Sequence, residues 1–131
     1  MTRIEIANTI LNQLGGNHFV VMTGAKNFVT VDNGLRFQIG KNSSKANVVK
    51  VMLQVDDTYT MQFWNKGREF NPYTLMVKYF DQGMSEEQVK VKVAAAEKNA
   101  EPKMLKEYNG LFFDQLQEFF TEYTHMNTKL F

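Results

Sequence analysis

The stretch "VVMTGAKNFVT" sets Gly24, Ala25 and Lys26 directly after a valine-rich run, where a glycine and a lysine could cradle phosphate. A phosphate loop needs two glycines with four residues between them, then Lys and Ser/Thr at the mouth of a helix. Here Lys26 is followed by Asn27 and more strand-type sequence, so that chemistry fails. A dinucleotide fingerprint fails too, because Gly15-Gly16 is followed by the strand-like "HFVVM" rather than joining a strand to a helix. What remains is a β-turn or bulge, shaped by Gly24 and Asn27, that offers Lys26 to solvent. A second polar loop, "GKNSSKAN" from Gly40 to Asn47, carries Lys41 and Lys45. If consecutive strands pair, both loops fall on one sheet edge. Lys26, Arg36, Lys41, Lys45 and Lys50 then form a basic surface, with Asn27, Asn42 and Asn47 as hydrogen-bonding groups, suited to phosphates or to an acidic protein face. A solvated loop is the plainer account of the same residues. A nucleic-acid partner would also call for stacking aromatics beside the lysines, and the nearby Phe28 and Phe37 belong to the expected core.

Other chemistry is poorly supplied. The chain has no cysteine, which removes thiolate metal sites, disulfides and cysteine nucleophiles. His18 and His125 are far apart in sequence, and neither has a histidine or carboxylate at the helical metal-site spacing. Ser43, Ser44 and Ser85 are the only serines; none lies in a Gly-x-Ser-x-Gly elbow, and Ser85 suits a helix cap. Asp56-Asp57 reads as a turn whose adjacent carboxylates point apart. The expectation is therefore a protein without catalytic residues, metal or cofactor. Asp114, Glu118 and Glu122 repeat every four residues near the end of the chain, stacking like charges at roughly 0.2–0.5 kcal/mol per pair. Such an acidic helix face is either solvated or docks against a basic protein groove.

The elements that would position these groups are legible from periodicity and punctuation. Thr2 with Glu5 caps a helix from Arg3 to Leu14 that Gly15-Gly16 ends. "HFVVM", "FVTV", "LRFQI", "VVKVMLQV" and "TYTMQFW" read as strands of an antiparallel meander, with Asp32-Asn33-Gly34 turning a tight hairpin through positive backbone dihedrals. Past Trp64 the connector "NKGREFNP" leads to a helix opened by Pro72 and stopped by Gly83. Ser85 and Gln88 form a capping box for "EEQVKVKVAAAEKN", Pro102 breaks that helix, and Asn109 is placed as N-cap of the last one, with an apolar stripe of Phe112, Leu116, Phe119, Phe120 and Tyr123. The fold class is α+β: an N-terminal helix, a four- to five-stranded antiparallel meander, and two or three C-terminal helices on one face. Residues 1–131 form one domain, made of helix plus sheet (1–65), a helical insert (66–106), and a final helix and tail (107–131).

Of 131 residues, 44% are hydrophobic and 22% charged, the composition of a chain with its own core. The net charge of +1 hides an asymmetry: residues 1–50 carry six Lys/Arg against two Asp/Glu, and residues 51–131 carry nine against twelve. The balanced total argues against a dedicated non-specific nucleic-acid binder. No run approaches the roughly 18 apolar residues of a membrane span, so no membrane partner and a cytoplasmic location are expected. An uncovered edge strand such as "TYTMQFW" would invite a dimer.

"LGGNHFVVMTGAKNF", the DNG-type hairpin, "GKNSSKANVVKVMLQVDDTYTMQFW" and the ending "YNGLFFDQLQEFFTEYTHMNTKL" resemble a family of small proteins carried by phages and mobile elements of gut bacteria. The resemblance covers residues 8–65 and 107–130, leaving the middle as the variable part. It carries over no catalytic residue. It implies an accessory protein that binds and neutralises a host defence factor, in the manner of an anti-CRISPR protein, or that acts beside phage nucleic acid.

Overall fold

A computed structural model describes residues 2–67 and 71–128. The chain divides into two compact units, Met1–Asn65 with Met104–Phe131, and Lys66–Lys103. The division falls at the start of the expected insert and close to its end. Arg68, Glu69 and Phe70 of the connector, and the final Lys129, Leu130 and Phe131, lie outside the described residues.

The first unit opens with α1 (Arg3–Leu14), whose N-terminal amides are satisfied by Thr2: its hydroxyl accepts from the Glu5 N–H. Gly15 closes the helix at φ 125°, a conformation in which a side chain is strained. The next segment departs from expectation. "HFVVM" lies within a second helix, α2 (Gly16–Thr23), not a strand. Helical spacing puts Phe19 and Thr23 on one side of the chain, and both are buried. Phe19 meets Phe37 edge-on at 5.4 Å and Phe120 at 5.0 Å, so burial of one aromatic ring outweighs the β preference of the two valines after it. Gly24 is the left-handed cap of α2, and the expected bulge is formed by Asn27 at φ 56° within β1 (Lys26–Val31), leaving Lys26 exposed.

β1, β2 (Gly34–Gln38), β3 (Val48–Leu53) and β4 (Tyr59–Asn65) follow one another antiparallel. The Asp32-Asn33-Gly34 hairpin forms, but neither Asn33 nor Gly34 takes the positive φ expected of it. Gly34 is required for closeness instead: a Cβ there would stand 1.9 Å from the Val51 carbonyl oxygen and 2.8 Å from Met52 Cα. Asn33 joins the same strand by donating from Nδ2 to the Leu53 carbonyl at 3.0 Å.

The sheet has the five strands allowed for, but its fifth comes from a segment not expected to be a strand. β5 (Lys103–Leu111) pairs beside β4, giving the order β1-β2-β3-β4-β5. Gln62 meets Glu107 and Thr60 meets Asn109, so β5 runs antiparallel to β4. "TYTMQFW" is thus an interior strand, not an edge open to a second copy. Asn109 sits in a strand and caps no helix. The last helical segment begins with a 3-10 turn, Phe113–Gln115, and continues as α5 (Leu116–Thr124). Leu116 and Phe120 of the expected stripe are buried and Phe119 and Tyr123 pack against the core, but Phe112 precedes the helix and is exposed. One sheet face, bearing Leu35, Phe37, Val49, Val51, Met61 and Phe63, closes against Ile10, Leu14, Phe19, Leu116 and Phe120 of α1, α2 and α5. The other face carries the alternate residues.

The second unit is a helix pair. α3 (Pro72–Asp81) has Asn71 as its N-cap and Pro72 in its first turn; α4 (Glu86–Ala100) starts with the expected Ser85–Gln88 box. The alternation in "VKVKV" yields to that cap and to the alanine run, and the segment is helical.

Candidate functional site

On the sheet face away from α1, the ladder sets Arg36 opposite Lys50 and Lys50 opposite Gln62. Two like charges directly across a ladder repel. Lys50 answers by placing its Nζ 4.7 Å from the centre of the Trp64 ring, where the indole quadrupole attracts it. Trp64 Nε1 donates to Gln62 Oε1 at 3.1 Å, and Gln62 Nε2 donates to Glu107 Oε2 at 2.7 Å. The other Glu107 oxygen accepts from Asn109 Nδ2 at 2.9 Å. Asn109 Oδ1 accepts from the Thr60 hydroxyl, and the Thr60 oxygen in turn accepts from Gln54 Nε2, each at 2.9 Å. An unbroken line of hydrogen bonds therefore crosses the face from Gln54 to Trp64. The bonds from Asn109 and then Gln62 hold the Glu107 carboxyl below its ordinary pKa.

The expected basic set is divided by the structure into two groups. Arg36 and Lys50 are half-buried on the sheet face. Lys26, Asn27, Lys41 and Lys45 are exposed at one end of the sheet, because the Gly40 N–H donates to the Thr23 carbonyl at 2.9 Å and ties the β2–β3 loop to the end of α2. The shared edge inferred from strand order is thus present. The asparagines, however, are occupied. Asn27 Nδ2 donates to Gln38 Oε1 at 3.1 Å, Asn42 Nδ2 donates to the Gly40 and Ala46 carbonyls, and Asn42 Oδ1 accepts from the Ser44 N–H and hydroxyl. Asn47 also has a partner. Cations, rather than amides, are what this loop presents.

From Lys26 to Val55 the chain holds five cations and a single carboxylate, Asp32, which is paired with Arg3. The acidic set lies elsewhere. Asp114 is in the 3-10 turn, and Glu118 and Glu122 are one turn apart on α5, all three exposed. Partial burial, reinforced by Glu122 and then Tyr123, raises the pKa of the Tyr108 phenol, which stacks against Phe119 at 5.1 Å.

His18 is exposed on α2, and His125 is the exposed left-handed cap of α5. Among the described residues no three His, Asp or Glu side chains gather as a metal site would require. Asp56 and Asp57 do form a turn: Asp56 Oδ1 accepts from the N–H and hydroxyl of Thr58, which lowers its pKa, and Asp57 takes φ 65°. An open depression of about 540 Å³ lies beside that turn, lined by Gln54, Thr58, Thr60 and Asn109 among others.

Sequence reasoning missed Trp64, Glu107 and Asn109 as members of the sheet face. Alternation in "TYTMQFW" held part of the signal, since it sets Thr60, Gln62 and Trp64 on one side and Met61 and Phe63 on the other. It also missed the outward side of α3, where Tyr73, Met76, Val77 and Phe80 recur at helical spacing and all remain exposed. The chain matches no family model, no curated protein and no solved structure.

Proposed function

We propose that this chain is a non-catalytic binding protein that works by contact with another protein. The observation that carries the reading is the apolar stripe on α3. Tyr73 is 77% exposed and Val77 61%, with Met76 and Phe80 beside them, and no residue of α3 is buried. An apolar row at i, i+3, i+4 and i+7 facing solvent is the arrangement by which a helix docks on a partner. The exposed cations Lys26, Lys41 and Lys45 and the acidic Glu118 and Glu122 would raise the rate of encounter with a partner of complementary charge. Inhibition of a host defence factor, as a phage or mobile element would require, is the role that the resemblance supports.

The test is capture from a nuclease-treated lysate of a gut bacterium at high salt, comparing the wild type with Tyr73→Glu/Val77→Glu and with Lys41→Glu/Lys45→Glu. A protein retained stoichiometrically by the wild type and lost from the α3 variant supports the reading. Retention undiminished in that variant, or capture of nucleic acid alone, overturns it.

A further inference from the structure

We propose a second, separate site: the sheet face around Trp64 binds single-stranded nucleic acid, with a base stacked on the indole and phosphates held by Arg36 and Lys50. Three features converge there. Arg36 and Lys50 are cross-strand partners, so their charges lie side by side, and neither has a carboxylate partner among the described residues. Trp64, on the same face, is half-buried and held by its Nε1–H bond to Gln62, which limits the freedom it would lose on stacking. Lys50 Nζ covers that ring at 4.7 Å, so a stacking base must displace it and thereby turns the ammonium toward a phosphate. β1, β2 and β3 contain Lys26, Arg36 and Lys50 and no Asp or Glu, which suits a polyanion.

Glu107 determines the direction of the strand. Its carboxylate, opposite Gln62 on β5, repels phosphate, so the sugar-phosphate chain runs over β1 to β3 and the base turns toward Trp64. Lys26, opposite Gln38, extends the phosphate track by one ladder step. A duplex hides its base faces and cannot stack in this way, so single strands are preferred. An acidic protein surface would engage the cations but gain nothing from the indole plane.

Trp64 is the only tryptophan, so its emission reports this site alone. The experiment titrates a short oligothymidylate into the full chain at low and at raised salt, with duplex DNA and polyglutamate as comparison ligands. The expected result is saturable quenching that weakens with salt at a slope of about −2, for two to three phosphates. Arg36→Ala/Lys50→Ala should weaken binding at least tenfold. By anisotropy of a labelled oligonucleotide, Trp64→Leu should weaken it by about 5- to 100-fold and Trp64→Phe should restore most of it. Circular dichroism identifies any variant that fails to fold; Trp64→Phe and the wild-type titration then decide the matter. Absence of quenching, equal affinity for duplex, or equal quenching by polyglutamate overturns the proposal. No residue of this site belongs to the α3 stripe, so its failure leaves protein docking by that helix untouched.

Discussion

Phe63 and Val89 are both closed off from solvent, yet their surroundings differ. Phe63 stacks on Tyr123 at 4.5 Å and joins a core assembled from both ends of the chain, from Ala7 to Phe120. Val89 is the one buried hydrophobic side chain described in residues 66–103. The helix pair relies correspondingly on local devices: the Asn71 side chain accepting from the Tyr73 and Thr74 amides, Pro72 in the first turn, and the reciprocal bonds of Ser85 and Gln88. Long-range packing stabilises one unit, and near-neighbour chemistry shapes the other. Such a difference leaves apolar side chains of the second unit exposed, and concentrates the cost of core substitutions in the first.

The comparison breaks most readily at Phe63. Phe63→Ala should cost about 3–5 kcal/mol in urea unfolding, a large part of a typical domain's stability. Val89→Ala should cost only about 1.5 kcal/mol, from lost methyl burial. Equal costs would show that the helix pair has a core after all. Gly34→Ala, which must push β3 away from β2, is expected to lose about 1–3 kcal/mol by the same measurement. An unchanged midpoint would mean that the hairpin yields easily. Next in size, Ser85→Ala should cost about 1 kcal/mol, visible as faster amide exchange confined to the first turn of α4. Exchange rising equally along α3 and α4 would reveal a more cooperative pair than their caps imply.

The smallest effect concerns pH. The Glu107 carboxyl has a lower pKa folded than unfolded, so its contribution to stability is present above the ordinary carboxylate value. That contribution is lost as the pH falls through the folded value. Carboxyl NMR should show Glu107 titrating below the ordinary glutamate range, and Asn109→Ala should raise it. A titration unaffected by Asn109→Ala would remove the hydrogen-bond line as its cause.

Much of this fold was legible because its signals are local. Thr2, Ser85, Pro72 and the two turns at Asp32–Gly34 and Asp56-Asp57 state their roles within four residues. What escaped depends on distant partners. "HFVVM" has strand composition and becomes helix because Phe19 must reach Phe37 and Phe120. "KMLKEYNGL" is mostly polar and exposed, and it becomes a strand because β4 supplies its ladder partner. The candidate sites follow the same rule. Lysines in loops can be read from sequence, whereas Trp64 beside Lys50, or the two hands of Glu107 on Gln62 and Asn109, exist only once β3, β4 and β5 lie side by side.

The β2–β3 loop bears on how such a protein can change over generations. Its shape is set by Asn42 and Ser44 bonding the loop's own backbone and by Ala46 anchored in the core. Neither Lys41 nor Lys45 supplies a side-chain bond to that framework. Mutational drift at these two positions can therefore reverse the charge that the loop presents while leaving the scaffold intact.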